Sequence, residues 1–442
     1  MGLVTRASLL DFTLSGSYLG PDGQHLPEGH YQGRPSGEAI ALEGPLGIKS
    51  RELSFFPQDP VTSRFTINGV TIGIDFHWER KEDQTFVGSL KLGLAEGKIL
   101  AVNEVPLESY LTSVISSEMS ASSPTELLRA HAIVSRSWLL AQLYNPPATV
   151  APEASAIESS DETVRWYTRE SHQRFDVCAD DHCQRYQGVT KAFSPAAYDA
   201  VKDTRGKILV YGGDICDARY SKSCGGVTEV YSAAWDNTDI PYLSPVYDGP
   251  GPPEDGVMPL TREENAIRWI SSSPAAFCNT SSADLLSKIL PGFDQETRNF
   301  YRWEVVHDAS ELGELVSAKL GVEFGRILDL IPLERGPSGR IVRLRIAGEK
   351  RTLVIGKELE IRRALSQSHL YSSAFVVHKE HAEERGRPPM RADNEVFRIT
   401  GAGWGHGVGM CQIGAAVMAD QGYVHDQIVA HYFRGSTLRS IY

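Results

Sequence analysis

No apolar run in the 442-residue chain approaches the roughly 20 residues that a membrane-spanning helix needs. The first twenty residues, "MGLVTRASLLDFTLSGSYLG", also lack the apolar h-region of a secretion signal. Positive charge is in deficit: 44 Lys and Arg stand against 56 Asp and Glu, a net charge of −12. That balance argues against nucleic acid or an anionic membrane surface as partner. Six cysteines are too few to build a fold from disulfides, so their placement carries more meaning than their number. Neither an internal repeat nor a low-complexity tract emerges. What remains is a soluble globular composition, 41% hydrophobic and 23% charged, long enough for two or three structural units.

The organisation predicted is α+β. Short apolar runs alternate with Gly, Pro and Asp turns over residues 1 to about 100. Period-2 patterns at Phe65 and Ile67, at Ile72, Ile74 and Phe76, and at Leu90, Leu92 and Leu94 predict half-buried strands in a small barrel or sandwich. Residues 1–84 form this β-rich part, and residues 85–442 a mixed α/β part. Polar and Pro/Gly-rich stretches near 146–168 and 249–300 read as insertions, the first as a surface loop. Two consecutive helices are expected within "EVPLESYLTSVISSEMS" and "PTELLRAHAIVSRSWLLAQLY", joined by so short a connection that they must pack as neighbours.

The first helix carries an anomaly. At about 100° per residue from Leu107, Leu111, Val114 and Ile115 fall at roughly 40°, 340° and 80°, and Glu118 falls at roughly 20°, inside the apolar stripe. A carboxylate there is either paired, with Arg129 or Arg136 in reach on the second helix, or chemically employed.

Two other stretches could carry chemistry. In "GAGWGHGVGM", Gly401, Gly403, Gly405, Gly407 and Gly409 alternate with other residues, which implies positive φ angles or close backbone approach. The spacing matches neither a P-loop nor a dinucleotide fingerprint. A tight structural turn around a packed Trp404 is the plain alternative. His172, Cys178, His182 and Cys183 lie within twelve residues, and two sulfurs with two imidazoles match tetrahedral zinc. A disulfide or two free thiols is the alternative there. Cys278 and Cys411 stand alone and read as free buried thiols.

The stretches "NEVPLESYLTSVISSEMSASSPTELLRAHAIVSRSWLL" and "GAGWGHGVGMCQIGAAVMADQGYVHDQIVAHYFRGS" together resemble the stage II sporulation protein D / LytB family of peptidoglycan-acting proteins. "FDVCADDHCQRYQG", "ARYSKSCGGVTEVYSAAW" and "RGPSGRIVRLRI" occur in the family order, and the resemblance spans roughly residues 85–442. It implies lytic transglycosylase activity, with the glutamate of the "EM" dipeptide, Glu118, as catalytic acid and then base. A carboxyl among apolar neighbours is a suitable proton carrier because burial disfavours its charged form. The MurNAc 6-hydroxyl supplies the nucleophile, so a second enzymic carboxylate is not needed.

By the same resemblance the Cys/His segment would hold a zinc ion with a structural role. Arg136 and Ser137 match an "AR[ST]" pattern, while His131 stands where the family often has Gln. Tyr220 and Ser223 match a small-residue loop that reads equally as a sugar groove or a turn between strands. His406 and Gln412 match the glycine-rich motif and are expected to meet the glycan or support Glu118. The implied partner is peptidoglycan, perhaps stripped of stem peptides, and the implied place is the cell envelope, outside the cytoplasmic membrane. LytB-type relatives suggest the rival reading, a non-catalytic modifier that enhances an N-acetylmuramoyl-L-alanine amidase.

Overall fold

The computed structural model describes residues 1–73, 79–144, 156–167, 172, 174–179, 183–192, 194–254, 256–296, 299–381 and 395–442. Two six-stranded antiparallel sheets open the chain. One runs, in spatial order, Gly2–Ala7, Lys98–Glu104, Ser89–Ala95, Leu53–Pro57, Tyr18–Leu19 and His25–Leu26. The other runs Arg80–Phe86, Arg64–Ile72, Leu10–Ser15, Gly29–Ser36, Ala39–Glu43 and Ile48–Ser50. Alternate residues of both, among them Phe12, Leu14, Tyr31, Phe55, Phe65, Ile67, Leu90 and Leu92, share one core, as period-2 burial requires.

The parity of that burial changes within one strand. Phe65 and Ile67 point inward, and so do Val70 and Ile72. Gly69, at φ +64°, sits where two residues on this strand, Asn68 and Gly69, oppose the single Asp83 on Arg80–Phe86. Such a bulge inserts one residue and moves the inward face from odd to even positions. Ile72 is buried as expected and Leu94 is half-buried; Ile74 and Phe76 lie outside the described residues. The boundary expected at 84/85 falls inside a strand, because both sheets draw on residues up to Glu104.

Ten helices are found among the described residues: α1 (Leu107–Glu118), α2 (Thr125–Tyr144), α3 (Pro195–Asp203), α4 (Tyr231–Ala234), α5 (Glu263–Ser271), α6 (Ala283–Ile289), α7 (Ala309–Leu320), α8 (Glu358–Ala364), α9 (Gln412–Asp420) and α10 (His425–Tyr432). Fifteen residues of the 20-residue α2 are buried, so this helix is enclosed on all sides. It packs on α1, α3, α9 and α10 and on the strand Lys207–Tyr211.

A five-stranded sheet follows the order Ala156–Glu158, Glu162–Arg165, Thr352–Gly356, Ile341–Gly348 and Ile327–Arg335. The described part of the first expected insertion is therefore sheet edge, not a surface loop. The second contributes α5 and α6, whose Trp269, Leu285, Leu286 and Ile289 are core residues. Two short strands, Tyr220–Ser221 and Met410–Cys411, pair in parallel and bring the 220s loop against the glycine-rich motif.

Candidate active site

Glu118 ends α1 and is partly exposed, while Leu111, Val114 and Ile115 on the same stripe are sealed. Neither arginine considered as its partner takes that role. Arg129 pairs with Glu126 and Asp203. Arg136 is fully buried and grips Glu108 with two donors, Nε to Oε1 at 3.0 Å and Nη2 to Oε2 at 2.7 Å. Glu108 lies ten residues before Glu118 on the same helix, about 15 Å away along its axis.

Glu118 is instead oriented by groups from distant segments. Its Oε1 accepts the backbone N–H of Arg185 at 2.9 Å and the Tyr220 hydroxyl at 3.0 Å. Burial, and then the Glu118 charge, push the Tyr220 phenol well above its ordinary value, so it stays a proton donor here. Behind Tyr220 the His131 ring packs in a T-shaped arrangement with ring centroids 4.7 Å apart, and Gln412 Nε2 meets His131 Nε2 at 3.2 Å. Burial and then Lys222 push His131 down to about 3. The imidazole is therefore neutral near pH 7, with Nε2 free to accept from the Gln412 amide. Gln412, His131, Tyr220 and Glu118 thus form one relay of contacts.

Lys222 is the second support. Its ammonium donates to the carbonyl of Glu118 at 2.9 Å and pairs with the buried carboxylate of Asp294 at 2.8 Å. A cation at the last carbonyl of α1 complements the negative end of the helix dipole. Tyr220 and Lys222 are two residues apart on an extended segment, so their side chains leave the same face.

The segment after the Cys/His stretch runs along α1. Gln184 accepts from the Tyr110 hydroxyl at 2.9 Å, Tyr186 stacks on Tyr110 with ring centroids 5.3 Å apart, and the Gln187 amide donates to Ser117 at 3.3 Å. These contacts hold the Arg185 amide at Glu118. Upstream, ligand atoms of His172, Cys178 and Cys183 lie within 4.8 Å of one another; His182 lies outside the described residues. The same stretch is tied to the chain start, with the Gly2 amide donating to Val177 and the Ala179 amide to Gly2. A cavity of about 680 Å³ between Gly2–Ala7 and Arg64–Ile72 reaches His172, Cys178 and Arg185.

The glycine-rich loop wraps an arginine. Gly403, Gly405, Gly407 and Gly409 all have positive φ. The fully buried Arg340 donates from Nε and Nη2 to the Gly405 carbonyl, at 3.2 and 2.9 Å, and from Nη1 to the Cys224 carbonyl at 3.0 Å. His406 accepts the Val408 amide through Nδ1 at 3.0 Å, and its ring centroid lies 4.9 Å from that of Trp235. Burial and three arginines, Arg219 foremost, push His406 well below its ordinary value, against a hydrogen bond with the Tyr220 backbone. It braces the back of the Tyr220 strand. Ser223 is fully buried and exchanges backbone hydrogen bonds with Trp404 at 3.1 and 2.8 Å.

Of the residues singled out in the sequence, Tyr220 and Gln412 join Glu118, the first directly and the second through His131. Arg136 and Ser137 are corrected to framework roles. Ser137 is sealed, donates to Ile133 and accepts the Leu209 amide at 2.8 Å, so neither residue is available to a glycan. Arg185, Lys222 and Asp294 escaped sequence reasoning. Only Lys222 left a trace, its period-2 relation to Tyr220.

Residues 95–211, which hold α1, α2 and Arg185, match the family model described as stage II sporulation protein. Residues 229–409 match a model described as domain of unknown function (DUF8618). Stage II sporulation protein D of Bacillus subtilis is 26% identical over 341 residues, 76% of each chain. The amidase enhancer of the same organism is 23% identical over 337 residues, 75% of this chain and 40% of the enhancer. An uncharacterized protein of Brachyspira hyodysenteriae is 24% identical over 399 residues, 90% of this chain and 80% of that one. The chain carries a stage II sporulation protein domain and is homologous, at modest identity over most of its length, to stage II sporulation protein D and the amidase enhancer.

Proposed function

We propose that the protein is a lytic transglycosylase of peptidoglycan glycan strands, with Glu118 as its acid and base. The observation that carries this reading is the setting of Glu118: a carboxyl on the apolar stripe of α1, partly exposed, aimed by the Arg185 amide and the Tyr220 hydroxyl. An oxygen that accepts from the Arg185 amide and the Tyr220 hydroxyl is suited to be the carbonyl oxygen of the protonated acid. The proton passes to the glycosidic oxygen between MurNAc and GlcNAc as the bond from that oxygen to the anomeric carbon breaks. The MurNAc 6-oxygen then bonds to the anomeric carbon and its proton returns to Glu118, leaving a 1,6-anhydro end and consuming no water. Because the nucleophile belongs to the substrate, its intramolecular attack carries little entropic cost.

Tyr220, with Gln412 and His131 behind it, positions the acid. Ser223 and His406 belong to the loops that flank it. His172, Cys178 and Cys183, with His182 of the same stretch, would hold a zinc ion whose part is to fasten this segment beside α1. Four protein ligands leave no open position for substrate or water. The substrate would place the protein in the cell envelope, outside the cytoplasmic membrane; among the described residues no helix is long and apolar enough to cross it.

The name of one relative, amidase enhancer, supports a second reading, a non-catalytic partner of an amidase. Muropeptide mass spectrometry on purified sacculi separates the two. Glu118→Gln should keep the fold and glycan binding and lose the anhydro products. Equal anhydro-product yield from wild type and variant would move the chemistry away from Glu118.

A further inference from the structure

Three cysteines far apart in sequence meet a carboxylate in the interior. Cys224, Cys278, Cys411 and Asp248 are all buried, and their ligand atoms lie within 4.8 Å of one another. Any four such points share a centre within about 2.9 Å of each, close to the ~2.3 Å of a zinc–sulfur bond and the ~2.0–2.2 Å of a zinc–oxygen bond. The sulfurs of Cys224 and Cys278 are 3.6 Å apart. Two thiolates on one tetrahedral zinc stand about 3.8 Å apart, by the geometry of ~2.3 Å bonds.

The surroundings are those of metal-bound thiolates. The Cys411 sulfur accepts the amides of Cys224 at 3.2 Å and Gly414 at 3.4 Å, and the Cys224 sulfur accepts the Gly226 amide at 3.4 Å. Cys411 also caps the N-terminus of the nine-residue α9, where the helix dipole favours a thiolate. Asp248 is oriented by the Tyr432 hydroxyl at 2.6 Å and the Cys278 amide at 3.1 Å. Both donors are neutral. A carboxylate buried among three sulfurs is costly unless a cation completes the group, and donors that orient a ligating carboxylate are the usual outer support of a metal site.

We propose that Cys224, Cys278, Cys411 and Asp248 form a second, tetrahedral site for a thiophilic divalent cation, zinc by ligand type. On binding, each thiol releases its proton to solvent, and three thiolates and one carboxylate occupy all four positions. The site joins three segments that brace Glu118. Cys224 follows Tyr220 and Lys222, Cys411 precedes Gln412, and Cys278 lies with Asp294 in the stretch 249–300. The ion is a clamp for the acid's supports and takes no part in bond cleavage. This holds whether or not Glu118 is the transglycosylase acid, because its test reads metal and not turnover.

The test uses full-length protein in a Cys178→Ser, Cys183→Ser background, which removes both sulfurs of the other cluster. Elemental analysis should find one zinc per chain there, and none after Cys278→Ser is added. Loading the background protein with Co2+ should give the thiolate charge-transfer band and the intense visible bands of a tetrahedral site. Asp248→Asn should shift those visible bands, a readout that survives if the cysteine variant fails to fold. Metal-free background protein that takes up no Co2+ would overturn the proposal. So would a metal-free chain lighter by two hydrogens, which would identify a Cys224–Cys278 disulfide.

Discussion

The phenolic hydroxyl of Tyr220 donates to Oε1 of Glu118 at 3.0 Å, joining residues 102 positions apart in the chain. Hydrogen bonds to charged groups are worth about 1.5–3 kcal/mol, and this one aims the carboxyl proposed to give up and take back a proton. Tyr220→Phe keeps the ring against His131 and removes only the donor. The expected outcome is a fall of about 10- to 100-fold in kcat for anhydro-product release, with KM changed less than about twofold. Unaltered kcat would mean that the bond is structural only.

Lys222 and Asp294 form a buried pair at 2.8 Å, with Arg185 Nη1 a further 3.8 Å from the same carboxylate oxygen. Removing one member of a buried pair leaves an uncompensated charge and typically costs about 3–5 kcal/mol. Lys222→Met should lower unfolding stability by about that amount, and Asp294→Asn in the same chain should return a large part of it. Urea denaturation of the four members of the cycle measures the coupling. A coupling near zero would show that Lys222 acts on the α1 carbonyl alone.

Glu118 and its neighbourhood were partly legible in the sequence because helical periodicity places every side chain of α1 by angle. Strand periodicity likewise carried the N-terminal sheets, up to the bulge at Gly69 that reverses their parity. The remaining supports left weaker signals for identifiable reasons. Arg185 contributes a backbone N–H, which has no residue-type signature. Asp294 comes from a stretch that reads as an insertion, and Cys224, Cys278 and Cys411 meet across 187 residues without any ligand spacing. Arg136 matched a motif yet proved to be framework, since a motif match does not say which face of a buried helix its residue occupies.

The glycine-rich loop offers a contrast within one residue type. Gly407 has φ +76°, and a Cβ there would lie 2.4 Å from Cζ of the buried Arg340. Gly422 has φ +91° with nothing within 4 Å of such a Cβ. Backbone strain alone costs an Ala about 1–2 kcal/mol at positive φ, so Gly422→Ala should lose that much. Gly407→Ala must also displace a guanidinium held by several hydrogen bonds, and should lose more than about 4 kcal/mol. Equal losses in thermal or urea melts would show that the loop does not depend on its fit around Arg340.

The neutral imidazole of His131 makes stability depend on pH. Its folded value of about 3 lies below the ordinary 6.5, so between these limits the unfolded chain binds a proton that the folded chain does not. Stability is then fully present above pH ~6.5 and falls as the solution is acidified toward pH ~3, by at most about 1.4 kcal/mol per pH unit for one group. His431, pushed down to about 4 by burial, adds a slope of the same sign. The urea midpoint should therefore drop between pH 7 and pH 4. His131→Gln preserves an acceptor for the Gln412 amide and cannot titrate, so its midpoint should fall less steeply over that range. A variant with the wild-type slope would mean that His131 is already protonated in the fold, and the relay through Gln412 would have to be redrawn with His131 as donor.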